Sequence, residues 1–293
     1  MEYQQCYDTY LNQAEETLQM LCEKFLPESS EVCRAARYSL LSGGKRIRAV
    51  LVMAVCDLLD GNMETAKWFA GAVEMVHCYS LIHDDLPCMD NDDFRRGKPS
   101  CHKAFSESTA LLAGDALLTA AFQVLANAPD SSEKVAKAVK ELSAAAGGNG
   151  MILGQELDLY HETVAPSAGQ LMQIHRKKTG ALINAAVQLG GIAAGCDGRT
   201  ADLLRQYAYD IGLVFQIVDD VLDVTSTTDQ LGKPVGSDEQ NNKTTFVTLY
   251  DVHGAMAHAN KINENACRIV TENFGEKSEF LKNLAMKLLD RKY

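Results

Sequence analysis

The sequence predicts an all-α protein, and three observations lead there. Apolar residues recur at helical spacing along most of the chain, β-branched residues do not gather into alternating runs, and only six prolines interrupt 293 residues. Hydrophobic residues make up 46% of the chain, enough to bury a sizeable core. The net charge of −11 argues against a nucleic-acid surface, and part of that excess is what a metal site would neutralise. Nine cysteines, an odd number with no CxxC pair, read as buried thiols in a reducing compartment rather than a disulfide framework. The first sixteen residues are polar and acidic, without a signal-peptide core, and no apolar run approaches ~18 residues. A cytoplasmic protein without a membrane span is expected.

In chain order, an amphipathic helix runs to about Phe25, where Pro27 ends it and Ser29 and Ser30 cap the next. That second helix ends at Ser42-Gly43-Gly44, ahead of Lys45-Arg46-Ile47-Arg48. Taken alone this is a glycine C-cap followed by surface bases. It is not a P-loop, because Arg46 stands where Ser or Thr is required. Lys45 and Arg48, three apart beside the glycines, could still present two cations to a diphosphate. A third helix ends at Gly61, and a long one starts near Glu64. Helices are also expected from Ser108 to Ala126, interrupted at Gly114-Asp115, and from Glu133 to Ala146, before a turn at Gly147-Gly148-Asn149-Gly150. Gln155 and Asp158 lie one turn apart on the following helix as polar support. From Ser167 a long helical pattern carries His175-Arg176-Lys177-Lys178-Thr179-Gly180, where Thr179-Gly180 could mark a kink with exposed carbonyls or the bases simply a solvated face. Residues 225–242, rich in Gly, Pro, Asp and Asn, have the length of a lid loop, and two helices finish the chain.

Two aspartate stretches carry the chemistry. Gln216, Asp219, Asp220 and Asp223 fall at i, i+3, i+4 and i+7, a polar stripe on a helix otherwise apolar almost all round. Stacked carboxylates repel and are costly to desolvate, so a cation between them accounts for the stripe. With oxygen ligands and no His or Cys, Mg²⁺ suits it better than Zn²⁺. The other stretch is His83-Asp84-Asp85-Leu86-Pro87-Cys88-Met89-Asp90. Pro87 lacks an N–H and disfavours helical geometry at Leu86, so the helix should loosen after Asp85 and let Asp90 swing back toward Asp84. His77 sits two turns before Asp84 on the same face, as a core histidine or a ligand. The bases Arg95, Arg96 and Lys98 directly follow the acids, either as a balanced surface loop or as anion contacts. Either acid cluster alone could be a solvated face; two in one chain suggest metals gripping a phosphate.

Together these residues resemble the short-chain trans-prenyl diphosphate synthases, most closely the bacterial farnesyl diphosphate synthases. The resemblance runs nearly end to end. It rests on Gly43-Gly44-Lys45-Arg46-Ile47-Arg48, the block from Ser80 to Gly97, Lys178-Thr179-Gly180, Phe215-Gln216 with Asp219, Asp220 and Asp223, and Leu231-Gly232-Lys233. Each motif is weak alone, and all five in order are specific. The resemblance implies a single-domain bundle of long helices (1–293) around a deep central cavity, usually a homodimer. It implies that Asp84 and Asp90 hold two Mg²⁺ and Asp219 a third, with Arg95, Lys178 and Lys233 on an allylic diphosphate. Lys45, Arg48, His77 and Arg96 would bind isopentenyl diphosphate, with Thr179 and Gln216 beside the reacting carbons and Arg291 and Lys292 in a closing tail. Product length would be set at Tyr79 or Ser80, one turn behind Asp84, where a packed core tyrosine is the competing account of Tyr79.

The implied activity is Mg²⁺-dependent condensation of dimethylallyl or geranyl diphosphate with isopentenyl diphosphate to farnesyl diphosphate. Geranyl or geranylgeranyl diphosphate is the alternative product. A terpene cyclase would share the fold but lack the cations Lys45, Arg48 and Arg96. A non-catalytic, metal-binding helical subunit would normally have lost one of the aspartate motifs, and both are present here.

Overall fold

A computed structural model describes residues 2–225 and 244–291. Among them the protein is all-α apart from one two-residue hairpin. Lys233 and Lys292, and nearly all of the lid loop, lie outside the described residues.

Contacts divide the chain into two compact units, residues 1–142 with 189–195, and residues 143–188 with 196–293. The first unit begins with α1 (Tyr3–Phe25), α2 (Glu31–Leu40), α3 (Ile47–Leu58) and α4 (Met63–Asp84). The starts follow local chemistry: Ser30 Oγ accepts the Cys33 N–H, and Asn62 Oδ1 accepts those of Glu64 and Thr65. Helix α3 is buried on nearly every side, from Ala49 through Cys56, and α4 packs on it and on α1. After α4 come the hairpin β1 (Phe94–Arg95) and β2 (Lys98–Pro99), the short α5 (Cys101–Ala104), α6 (Glu107–Ala126) and α7 (Ser132–Ala146), whose last turn crosses into the second unit.

The hairpin departs from the loop expected there. Arg96 (φ 55°) and Gly97 (φ 74°) both take left-handed geometry, which a two-residue hairpin turn requires. Nor does Gly114 interrupt α6. A Cβ there would stand 2.1 Å from His83 Nε2, so its bare backbone makes room for that ring.

Helix α6 also corrects the expectation about apolar runs. It is long enough, with mean hydropathy 1.6, to meet the length and composition of a membrane-crossing helix. Alanines and leucines reach that value around the polar Asp115, without an unbroken run. Ala110, Ala113, Leu117, Ala121 and Val124 are buried, and α6 packs on α2 and α4 as a core helix does.

The second unit holds α8 (Met151–His161), α9 (Ala168–His175), a π turn (Arg176–Gly180), and α10 (Ala181–Ala194), whose last residues belong to the first unit. It continues with α11 (Gly198–Thr225), α12 (Phe246–Phe274, broken at Asp251) and α13 (Glu279–Leu289). The core joins α9, α11 and α12 through Leu171, Ile217, Val221, Phe246, Ala255 and Ala259. Tyr207 is fully buried and its hydroxyl donates to the Leu281 carbonyl at 2.8 Å, tying α11 to α13.

Candidate functional site

In the first unit the chain between α2 and α3 folds around its glycines. Gly43 and Gly44 take φ of 76° and 129°. At Gly44 a Cβ would lie 2.9 Å from Arg96 Cζ, so the guanidinium rests on bare backbone, and it donates to the Gly43 carbonyl. Arg46 turns inward at φ 46° and is buried. Its guanidinium bonds Glu15 at 2.8 Å and the Leu40 carbonyl and lies 3.6 Å from Glu74, whose other oxygen accepts the Ala49 N–H at 3.1 Å. This anchoring takes the middle base out of the run, while the Nε of Arg48 stays without a hydrogen-bond partner.

Arg48 is half-buried, and its Nε is sealed from solvent without a hydrogen-bond partner. His77 lies in the field of several arginines. Its imidazole pKa falls well below the usual value, first through desolvation and then through Arg48, Arg96, Arg46 and Arg95. Burial and the Arg46 charge lower Arg96 as well. One carboxylate near these cations, Glu74, is already engaged by Arg46 and a backbone N–H. Clustered guanidiniums, a neutral histidine and an unbonded Arg48 Nε form a site suited to a multiply charged anion.

Helix α4 ends at Asp84 with Asp85 as its cap, as Pro87 requires. The Asp90 N–H then donates to the Asp84 carbonyl at 2.8 Å, which folds the loop back as the proline predicts. Asp85 is buried and binds Arg95, with Nε–Oδ1 at 3.0 Å; Asp92 holds the same guanidinium at 3.1 Å. Burial pushes the Asp85 carboxyl up, and Arg95 draws it back. The sequence did not single out Asp85 as the partner of Arg95. Tyr79 is buried with its hydroxyl unbonded and its pKa pushed up to about 12 by desolvation. Its ring meets His83 edge-on at 5.7 Å, and His83 Nε2 bonds the Leu111 carbonyl at 2.9 Å. Ser80 bonds back to the His77 carbonyl at 2.9 Å within its own helix.

In the second unit the suspected kink is the π turn at Arg176–Gly180. Two glycines hold it. A Cβ at Gly154 of α8 would stand 2.1 Å from the Lys178 nitrogen, and one at Gly212 of α11 would stand 3.2 Å from Gly180 Cα. The Thr179 hydroxyl donates to Gln216 Oε1 at 2.8 Å. Lys178 Nζ pairs with Asp158 at 2.7 Å, which gives Asp158 a larger part than polar support. The one-turn spacing of Gln155 and Asp158 could not reveal this, because the partner lies twenty residues away.

The acid stripe on α11 divides. Asp220 is buried and accepts the Phe246 N–H at 2.8 Å, capping α12, while Asp223 is only 2% exposed. The Asp219 side chain remains 44% exposed. Its carboxylate receives the guanidinium of Arg291, which lies over the Phe215 ring at 4.3 Å. The exposed carboxylate of the stripe is thus paired with an arginine. Among the described residues no three His, Cys, Asp or Glu side chains are grouped as a protein-only metal cage. Mg²⁺ does not require one, since it takes one or two carboxylates and completes its shell with water and phosphate. Asp84 and Asp90 in the first unit, and separately Asp219 in the second, carry oxygen donors of the kind it takes.

The sequence pattern of the polyprenyl synthetase family matches residues 29–284. The chain is 43% identical over 265 residues to a farnesyl diphosphate synthase of Micrococcus luteus, covering 86% of this chain and 91% of the relative. To a chloroplastic geranylgeranyl pyrophosphate synthase of Catharanthus roseus it is 44% identical over 261 residues, covering 88% and 73%. Among solved structures, a geranyltransferase from Legionella pneumophila superposes with TM-score 0.88 at 37% identity, over 99% of this chain and 97% of that one. A Helicobacter pylori geranyltransferase complexed with magnesium and isoprenyl diphosphate gives 0.85 at 34% identity, over 98% of each chain.

Proposed function

The chain belongs to the polyprenyl synthetase family, and as a member of it, we propose, it condenses dimethylallyl or geranyl diphosphate with isopentenyl diphosphate to give farnesyl diphosphate. The observation that carries this reading is the arginine cluster around His77 with the unbonded Nε of Arg48. A prenyl elongase needs an anion site for a second diphosphate, which a hydrolase or a terpene cyclase does not.

In this reading Lys45, Arg48, His77 and Arg96 bind isopentenyl diphosphate, and Arg95, Lys178 and Lys233 bind the allylic diphosphate. Asp84, Asp90 and Asp219 are the magnesium ligands, three ions in all. Magnesium, when bound, stabilises the departing diphosphate. The allylic C–O bond breaks, the double bond of isopentenyl diphosphate attacks the resulting carbocation, and a proton leaves with the released diphosphate. No side-chain nucleophile is needed. Thr179 and Gln216 lie beside the reacting carbons and face developing positive charge with oxygen dipoles.

A buried aromatic at Tyr79 favours a pocket that ends at fifteen carbons. A twenty-carbon product is the second reading, supported by the name of the Catharanthus roseus relative. The working assembly is a homodimer in both. Diphosphate release from dimethylallyl plus isopentenyl diphosphate, with and without Mg²⁺, tests the reaction, and chromatography of the dephosphorylated products tests the length. Absence of release in the presence of Mg²⁺ would overturn the reading.

A further inference from the structure

The π turn Arg176–Gly180 is gripped by two helices in the same way. On α8, Gly154 and Asp158 are four residues apart and share one face. The bare backbone of Gly154 admits the turn, since a Cβ there would stand 2.1 Å from the Lys178 nitrogen and 2.5 Å from its Cα. One helical turn on, Asp158 Oδ2 accepts the Lys178 ammonium at 2.7 Å. On α11, Gly212 and Gln216 repeat the arrangement. A Cβ at Gly212 would stand 3.2 Å from Gly180 Cα, and Gln216 accepts the Thr179 hydroxyl at 2.8 Å. Each helix thus offers a glycine to the backbone of the turn and a polar group to one of its side chains. For Lys178 the contact at Gly154 fixes the root of the side chain and Asp158 fixes its tip. The pair is partly open, with side chains 28% and 22% exposed.

We propose that Asp158 is a positioning residue: it holds the Lys178 ammonium at a set point beside the turn, so that an allylic diphosphate meets a donor already in place. The inference rests on the prenyl-transfer reading above, in which Lys178 contacts that diphosphate. A lysine ends a flexible four-carbon stem and reaches an anion through one of many rotamers. Rooted in the turn and tied at its tip, it loses that freedom on folding and not on the way to the transition state. The ammonium has three donors, so one can remain on Asp158 while the others meet the diphosphate oxygens as the allylic C–O bond breaks. Repulsion between Asp158 and the diphosphate acts on bound substrate and transition state alike and shows chiefly in KM. Placement of the ammonium shows in kcat.

The test removes the charge of Asp158 and keeps its shape. Asp158→Asn should lower kcat by about tenfold, less than the ~10²–10³ for deleting a preorganised donor outright. KM for the allylic substrate should stay within about threefold of wild type, and that for isopentenyl diphosphate should not change. Glu156→Gln, which removes an exposed charge from the same helix, should leave kcat at wild type. In a Lys178→Ala background, Asp158→Asn should cost nothing further, because no ammonium remains to hold. A carboxylate that served stability alone would lower kcat equally in both backgrounds. Wild-type or higher kcat in Asp158→Asn, or an undiminished further loss in the double variant, would overturn the inference. Wild-type kinetics in Lys178→Ala, or a wild-type protein without prenyl transfer, would instead overturn the reading it rests on.

Discussion

Replacing Gly114 with alanine should disturb the first aspartate cluster from a helix that carries none of its residues. A Cβ built at Gly114 lies 2.1 Å from His83 Nε2, 2.4 Å from Cδ2 and 2.9 Å from Cε1. Ordinary contact needs about 3.5 Å or more, so the imidazole must shift by roughly 1 Å or leave. Leaving breaks the 2.9 Å bond to the Leu111 carbonyl, worth about 1 kcal/mol. It also removes the edge contact with Tyr79, worth about 0.5–1 kcal/mol. Forcing a methyl into a filled space adds about 1–3 kcal/mol, and the better helix propensity of alanine returns about 1 kcal/mol. The net expectation is a loss of about 1.5–4 kcal/mol. In a chain of this size each kcal/mol moves the melting temperature by about 2–4 °C, so a drop of roughly 3–16 °C follows. Gly169 is the control: it lies in α9 with open space around it, and Gly169→Ala should gain about 0.5–1 kcal/mol. Thermal unfolding of both variants by circular dichroism decides the matter, with product chromatography reporting on the freed Tyr79. A Gly114→Ala protein as stable as Gly169→Ala, with unchanged products, would refute the packing argument.

Asp84→Ala or Asp219→Ala should each cost several orders of magnitude in turnover, and a divalent chelator should abolish it; near-normal rates at saturating substrate would contradict the metal assignment. Lys45→Ala and Arg48→Ala should chiefly raise KM for isopentenyl diphosphate and Lys233→Ala that for the allylic substrate, which initial rates with each substrate varied in turn will show. Tyr79→Ala should lengthen the product to twenty carbons or more and Ser80→Phe shorten it to ten. Unchanged product from both variants would place the length control elsewhere. Arg291→Gln should tighten Mn²⁺ binding to the substrate-free protein, measured by electron paramagnetic resonance. Because the Asp219 carboxylate is 44% exposed, the competing ion pair contributes at most about 1 kcal/mol, and the gain should not exceed roughly fivefold.

The sequence by itself determined the helices, their main breaks and the residue types of the site. Helical periodicity, the Ser30 cap and the effect of Pro87 are local, depending on a few neighbouring residues and on backbone sterics, so they can be read in one dimension. The folding-back of Asp90 onto Asp84 was legible for that reason, whereas at Thr179-Gly180 the sequence left a kink and a plain basic face equally open and the structure decided for the π turn. Tertiary structure decided which of several equivalent side chains does what. In the run Lys45-Arg46-Ile47-Arg48 nothing local marks Arg46 as the base that turns inward, because Glu15 and Glu74, which hold it, belong to other helices. The stripe on α11 gave four polar residues one face, but Asp220 caps α12 while Asp219 stays open to a cation, a choice made by the position of Phe246. Gly114 reads as an interruption although its bare backbone makes room for His83, and His175 reads as part of a basic run although its ring is buried against Phe246. Hydrogen bonds and steric fit act over about 3–4 Å in space, and for these residues the partners lie tens of residues away in sequence.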